Sequence, residues 1–219
     1  MMLKKAILTK KLAVVVGLIL FSGGAIADKL PFEPEMVQLP NDLWMGKYEV
    51  TQGQWQAVMG NNPSKFKKYC GENCPVEKVS WDDVQQFISR LNQKTGKNYR
   101  LPTEEEWFSA CQAGQNYNYS GSDNADDVAW YMGNSKAIED RETRPVGQKT
   151  ANAWGLHDMS GNVGEWTSSY YDSSKVGRVV LGGAFNTDVG SVRCAASIVL
   201  SPDNRSRDVG FRVILSPSL

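Results

Sequence analysis

The chain has 219 residues, 24 basic against 24 acidic side chains, four cysteines and a single histidine. A balanced charge leaves no electrostatic footprint for nucleic acid. The lone His157 excludes a multi-histidine iron or zinc centre within one chain. It would also have to be the base of any Ser-His-Asp triad, and reads more simply as a packing residue.

In chain order, residues 1–27 are a signal peptide. Lys4, Lys5, Lys10 and Lys11 make a basic start, Leu12 to Phe21 is an apolar run too short to span a bilayer, and Ala25-Ile26-Ala27 is a small-x-small cleavage site before Asp28. A retained anchor is the rival. Cleavage predicts a periplasmic or secreted chain and removes four lysines but no acid, leaving a mildly acidic mature protein. No later apolar run is long enough to form a transmembrane segment. In an oxidising compartment Cys70, Cys74, Cys111 and Cys194 read as structural disulfides, with the pairing open. Metal binding is the alternative, and a C-x-x-x-C pair with no histidine nearby is a poor zinc site.

Residues 28–35 are polar and proline-rich, a leader arm before one domain over 36–216. Trp44 to Val50 alternates as a strand. Thr51 opens T-Q-G-Q, a capping box before a short helix through Met59, stopped by Gly60-Asn61-Asn62-Pro63. Ser80 caps a clearer helix to about Gln93, whose buried face is Trp81, Val84, Phe87, Ile88 and Leu91. Thr103-Glu104-Glu105-Glu106 is another capping box, with Trp107, Ala110 and Cys111 facing inward and Gly114 ending the helix. Residues 115–180 lose periodicity but hold Trp130, Tyr131, Trp154, Trp166, Tyr170 and Tyr171. So many large rings predict a packed, irregular segment, not a solvated linker. Short strands return at Val179 to Leu181 and Phe211 to Leu215.

Asp158 to Glu165 (DMSGNVGE) is the best ion candidate. Asp158 and Glu165 bring carboxylates, Gly161 and Val163 can turn carbonyls inward, and mixed oxygen donors suit Ca²⁺. An Asx turn with a surface acid is the plainer alternative. Asp123, Asp126 and Asp127 are equally explained by a solvated loop. Pro202-Asp203-Asn204-Arg205 reads as a turn, and Arg207 and Arg212 are candidates to pair with buried acids.

Five runs together carry a family resemblance: KYEVTQGQWQAVMGNNPSKF (47–66), PVEKVSWDDVQQF (75–87), YRLPTEEEWFSAC (99–111), RPVGQKTANAWGLHDMSGNVGEW (144–166), and GGAF with RCAAS and GFR near the end. In order and content the chain resembles the formylglycine-generating enzymes, also called the sulfatase-modifying-factor family. The resemblance implies a single α/β domain of C-type-lectin-like type, with about three short helices, short strands and little regular structure. It implies a Cys111–Cys194 disulfide, leaving Cys70–Cys74 as a local closure. It also implies calcium held by Asp158, Gly161, Val163 and Glu165; a second family calcium site, near 133–146, has no clear match.

The departures bear on function. The oxidases carry a Gly-Gly-Ser-aromatic-x-Cys run and a second cysteine that together hold copper(I). Here Ala184 stands at the serine position, Thr187 at the first cysteine, and Gly164 at the family's tryptophan. The loop to Cys194 is shorter, so the second cysteine has no counterpart. Without thiolates no soft copper(I) site is expected. The favoured role is therefore a ligand- or protein-binding module on the retained scaffold. Its candidate surface is Phe185, Asn186, Asp188, Ser191, Ser197, Ile198, Val199, Leu200 and Ser206. Some lectin-like members of this family are the variable ligand-binding proteins of diversity-generating retroelements, and Ala184, Asn186, Asp188, Ser191, Ser197, Ile198, Val199 and Ser206 are compatible with that. The alternatives are an oxidase acting on an exported protein and an accessory subunit of a cell-envelope complex.

Overall fold

A computed structural model describes residues 30–40, 42–68, 71–136 and 142–216. The expected signal peptide and Cys70 lie outside the described residues. From the leader arm the chain enters strand β1 (Met36–Gln38), which pairs antiparallel with β2 (Trp44–Gly46). The strand expected to run to Val50 is thus only three residues long. The next segment leaves the sheet because Glu49 and Val50 are drawn into the interior.

The three expected helices form where their caps place them: α1 (Gln52–Met59), α2 (Trp81–Thr95) and α3 (Glu104–Gln112). Each begins on a complete capping box, Thr51 with Gln54, Ser80 with Asp83 and Thr103 with Glu106, which satisfies amides that a helix start leaves unpaired. Helix α2 buries Val84, Phe87, Ile88 and Leu91. Trp81 is the exception on its expected face. It stays half-buried because its indole donates to the Thr167 carbonyl (2.9 Å) and carries the Arg178 guanidinium on its ring (3.8 Å). A short fourth helix, α4 (Ala125–Val128), has no periodicity that the sequence could reveal.

Strand β3 (Tyr99–Arg100) lies between α2 and α3. Two-residue strands β4 (Ala129–Trp130) and β5 (Ser160–Gly161) pair in parallel. Then come β6 (Gly164–Tyr170), β7 (Arg178–Leu181), β8 (Ser197–Leu200), β9 (Val209–Gly210) and β10 (Ile214–Leu215). One sheet has the order β1-β2-β10-β3 and the other β8-β7-β6-β9. Strand β6 was hidden in the sequence because its inward residues include Glu165 and Thr167, so an apolar–polar alternation never shows.

The largest apolar cluster joins α1, α2 and the second sheet. Trp55 stacks on Phe87 at 5.2 Å, and Phe211 meets the Phe87 ring edge-on at 5.3 Å. Such pairs add about 0.5–1.5 kcal/mol beyond area burial. A second cluster packs Met45, Trp107, Leu156 and Met159 around the Cys111–Cys194 disulfide, the pairing the family resemblance implied. Cys74 is also disulfide-bonded.

Candidate functional site

Strand β6 separates two environments, because successive residues point to opposite faces. Glu165 faces inward. Its carboxylate accepts from Arg212 Nε (2.7 and 2.9 Å), from Arg212 Nη2 (2.6 Å) and from the Trp107 indole (2.6 Å). Arg212 also donates to the carbonyls of Gly46 (3.0 Å) and His157 (2.9 Å). This fully buried knot ties β6 to β2, α3 and the segment before β10. His157 is a packing residue here: Nδ1 lies 2.8 Å from the Lys149 carbonyl and the ring packs on Tyr48.

Two further buried acids surround the knot. Glu49 accepts from Asn162 Nδ2 (2.7 Å) and the Val163 amide (3.1 Å). Burial and the neighbouring Asp158 and Glu165 push its carboxyl well above the ordinary range. Asp158 is pushed up to about 6 by burial. One of its oxygens accepts from the Gly147 amide (2.6 Å), and the other, Oδ1, is buried with no partner.

The four expected calcium donors therefore differ in kind. Asp158 Oδ1 is an orphaned buried oxygen, which fits a hard cation. Gly161 and Val163 can offer only carbonyls. Gly161 is held at φ +82° so close to Trp130 that an added Cβ would lie 2.2 Å from that residue's carbonyl oxygen. Glu165 fits less well, because Arg212 and Trp107 already engage both of its oxygens. Among the described residues no three His, Cys, Asp or Glu side chains gather as a metal-holding group. Asp126 and Asp127 serve their own loop, accepting from Tyr131 Oη and Asn134 Nδ2 and from Ser122 Oγ and Asn124 Nδ2 respectively.

Gly164, one residue before Glu165, faces the other way. There it lines a mostly apolar cavity of about 110 Å³ with Ala184, Thr187, Val180, Val209 and Ile198. The three positions expected to depart from an oxidase site, Gly164, Ala184 and Thr187, thus meet in one place. Thr187 is locked: its Oγ1 accepts from the Ala184 amide (3.0 Å) and donates to the Ala184 carbonyl (2.9 Å). Asp208 lines the wall, accepting from Asn186 Nδ2 (3.0 Å) and from Ser206 Oγ. Gly183, at φ +64°, brings the Ser191 carbonyl so near that an added Cβ would meet it at 2.4 Å, and this closes the loop over the cavity.

The candidate surface is mostly accessible, with one correction. Phe185 is fully buried, its ring edge-on to Phe66 at 5.3 Å, so it belongs to the floor of this region and not to its surface. Ser197 to Leu200 form the edge strand β8, with Ile198 55% and Val199 40% exposed. They are not core. Asp188 is exposed, and Asn186, Ser191 and Ser206 are half-buried. Sequence reasoning missed Val180, Val209 and Asp208 in the cavity, since a void between distant segments leaves no local signal. It also missed Glu77, fully buried between Val76 and Val79. Oε1 of Glu77 accepts from the Phe66 amide (2.9 Å), Oε2 has no partner, and burial pushes the carboxyl up to about 7.

A C-type-lectin-like fold with these motifs in place defines the class, and the chain belongs to the sulfatase-modifying factor enzyme 1-like domain family, whose model matches residues 6–217. It is 34% identical to the chaperone protein LppX of Paenibacillus barcinonensis, across 91% of this chain and 89% of that protein. It is 31% identical to the inactive C-alpha-formylglycine-generating enzyme 2 of Bos taurus, across 63% of this chain and 49% of that relative, so it spans about half of the longer protein. Among solved structures it is similar to Treponema denticola variable protein 1, with a TM-score of 0.73 and 28% identity across 80% of this chain and 84% of that one. The Cys111–Cys194 disulfide is compatible with an exported protein. No helix among the described residues is long and apolar enough to cross a membrane.

Proposed function

We propose that this protein is an exported, periplasmic or secreted, binding module. It recognises a protein ligand at the cavity formed by Gly164, Ala184 and Thr187 and at the β8 edge beside it. The observation that carries this reading is the character of the cavity. Its wall offers apolar contact and one carboxylate, its threonine hydroxyl is closed on its own turn, and Cys194 is bonded to Cys111. A site of that composition suits recognition better than copper(I) oxidation, which needs free thiolates. The likeness to a protein called variable supports a ligand-binding scaffold, with Asn186, Asp188, Ser191, Ser197, Ile198, Val199 and Ser206 as the positions free to vary.

The test is site-directed photo-cross-linking in cells from position 198, with and without Ala184→Leu. Filling the cavity should abolish the adducts while the fold is kept. Adducts unaffected by Ala184→Leu, or turnover of a cysteine peptide by copper-loaded protein, would sink the proposal.

The LppX relative favours a second role at the same surface, chaperoning or assisting one exported partner as an accessory subunit. Suppression of that partner's aggregation by purified protein separates this from capture of many ligands. Calcium is proposed at Asp158 with the carbonyls of Gly161 and Val163, where it would neutralise a buried carboxylate. Calcium should raise the melting temperature of the wild type and leave Asp158→Asn unmoved; a wild type indifferent to calcium and to chelator ends this idea.

A further inference from the structure

The partner's chemistry can be taken further, on the basis of the recognition role proposed above. Strand β8 is the edge of its sheet, paired only with β7. The Val179 carbonyl accepts from Thr167 Oγ1 of β6 (2.9 Å). Main-chain groups alternate sides along a strand, so Val180 faces β8, opposite Ile198. The amides and carbonyls of Ser197 and Val199 then point away from the sheet, and neither amide has a partner outside it among the described residues.

Soluble proteins shield such edges with lysine, proline, a bulge or a covering loop. Ser197-Ile198-Val199-Leu200 carries neither charge nor proline, and its register with β7 is unbroken. Val199 sits over Gly177, in a hairpin that also exposes Tyr171 (65%) and Val176 (68%). The edge therefore runs from an apolar ledge at one end to the cavity under Ile198 at the other.

Cavity size limits the occupant. Drug-sized ligands need roughly 300 Å³ or more, and a dry apolar cavity of about 150 Å³ holds one benzene. At about 110 Å³ this cavity matches one branched aliphatic side chain. Charge limits it further. Asp208 on the cavity wall accepts from the neutral Asn186 and Ser206 and forms no ion pair among the described residues. A basic side chain would complement it.

We propose that β8 receives an extended segment of a partner polypeptide as an added strand, with one branched aliphatic side chain in the cavity and a lysine or arginine meeting Asp208. Strand addition takes affinity from the outward main-chain groups of Ser197 and Val199 and specificity from the cavity.

The probe is a set of synthetic octapeptides with a Val-Xaa-Val-Lys core, where Xaa is Leu, Ala or Asp, added to the whole mature chain. The Leu peptide should bind at least tenfold more tightly than the Ala peptide, and the Asp peptide should not bind. The Ser197 and Val199 amides should become protected from hydrogen exchange. N-methylation of alternate peptide nitrogens should weaken binding at least tenfold, a control that leaves the protein unaltered. Binding at the cavity without protection of those amides overturns strand addition and leaves cavity recognition intact. Self-association through the same amides without peptide overturns it in favour of a second copy of the chain. If no peptide binds while adducts from position 198 still respond to Ala184→Leu, strand addition falls and the recognition role stands. If those adducts are also absent, both fall.

Discussion

Gly164 and Glu165 are neighbours in one strand and stand in opposite worlds. On the Glu165 side every polar atom of the knot is matched, and the arrangement fixes where three segments meet. On the Gly164 side small residues leave a space and an open strand edge. The scaffold side admits almost no change, whereas the cavity side can be altered without touching the knot. The two faces of β6 answer to different demands, one tying segments together and the other leaving a cavity.

Replacing Arg212 with Met leaves Glu165 charged and unpaired in the interior, a loss of about 3–5 kcal/mol. Chemical denaturation should show it, or no folded protein should be recovered. Removing the Cys111–Cys194 bridge, which spans 83 residues, should cost about 2–4 kcal/mol and show as a lower midpoint in urea. On the cavity side Ala184→Leu should change stability by only about 1–3 kcal/mol while eliminating ligand capture. A larger loss would mean that the cavity face is as rigid as the knot.

The smallest effect concerns Glu77. Its folded-state carboxyl titrates near 7 against an ordinary value of 4.5, so the unfolded chain ionises first. The group therefore weakens the fold progressively as pH rises from about 4.5 to 7. Glu77→Gln should raise the melting temperature by a few degrees at pH 8 and leave it unchanged at pH 4. Equal effects at both pH values would assign the change to packing instead.

Much of the scaffold was legible because it is written locally. Thr51, Ser80 and Thr103 announce their helices by hydrogen bonds that reach only three residues. The disulfide and the recurrence of Gly164, Ala184 and Thr187 at one site came from the family resemblance. The rest depends on distant segments meeting. Phe185 looked like surface because its run is short and loop-like, yet Phe66, more than a hundred residues away, covers it. Glu49 and Glu77 give no sign that they are buried, since an acid beside a valine reads equally well as a strand turned toward water. The free edge of β8 is likewise a property of the whole sheet and not of its four residues.

Strand β10 has a consequence for how the molecule is made. It lies between β2 and β3, in the middle of its sheet, although it follows every other element in sequence. Strands β2 and β3 have no direct ladder with each other and meet only through it. The first sheet therefore stays split until β10 joins it, so its closure is a long-range step that local contacts cannot make. Until then β2 and β3 each present an unpaired edge, so the nascent chain is most prone to mispairing in the interval just before β10 emerges.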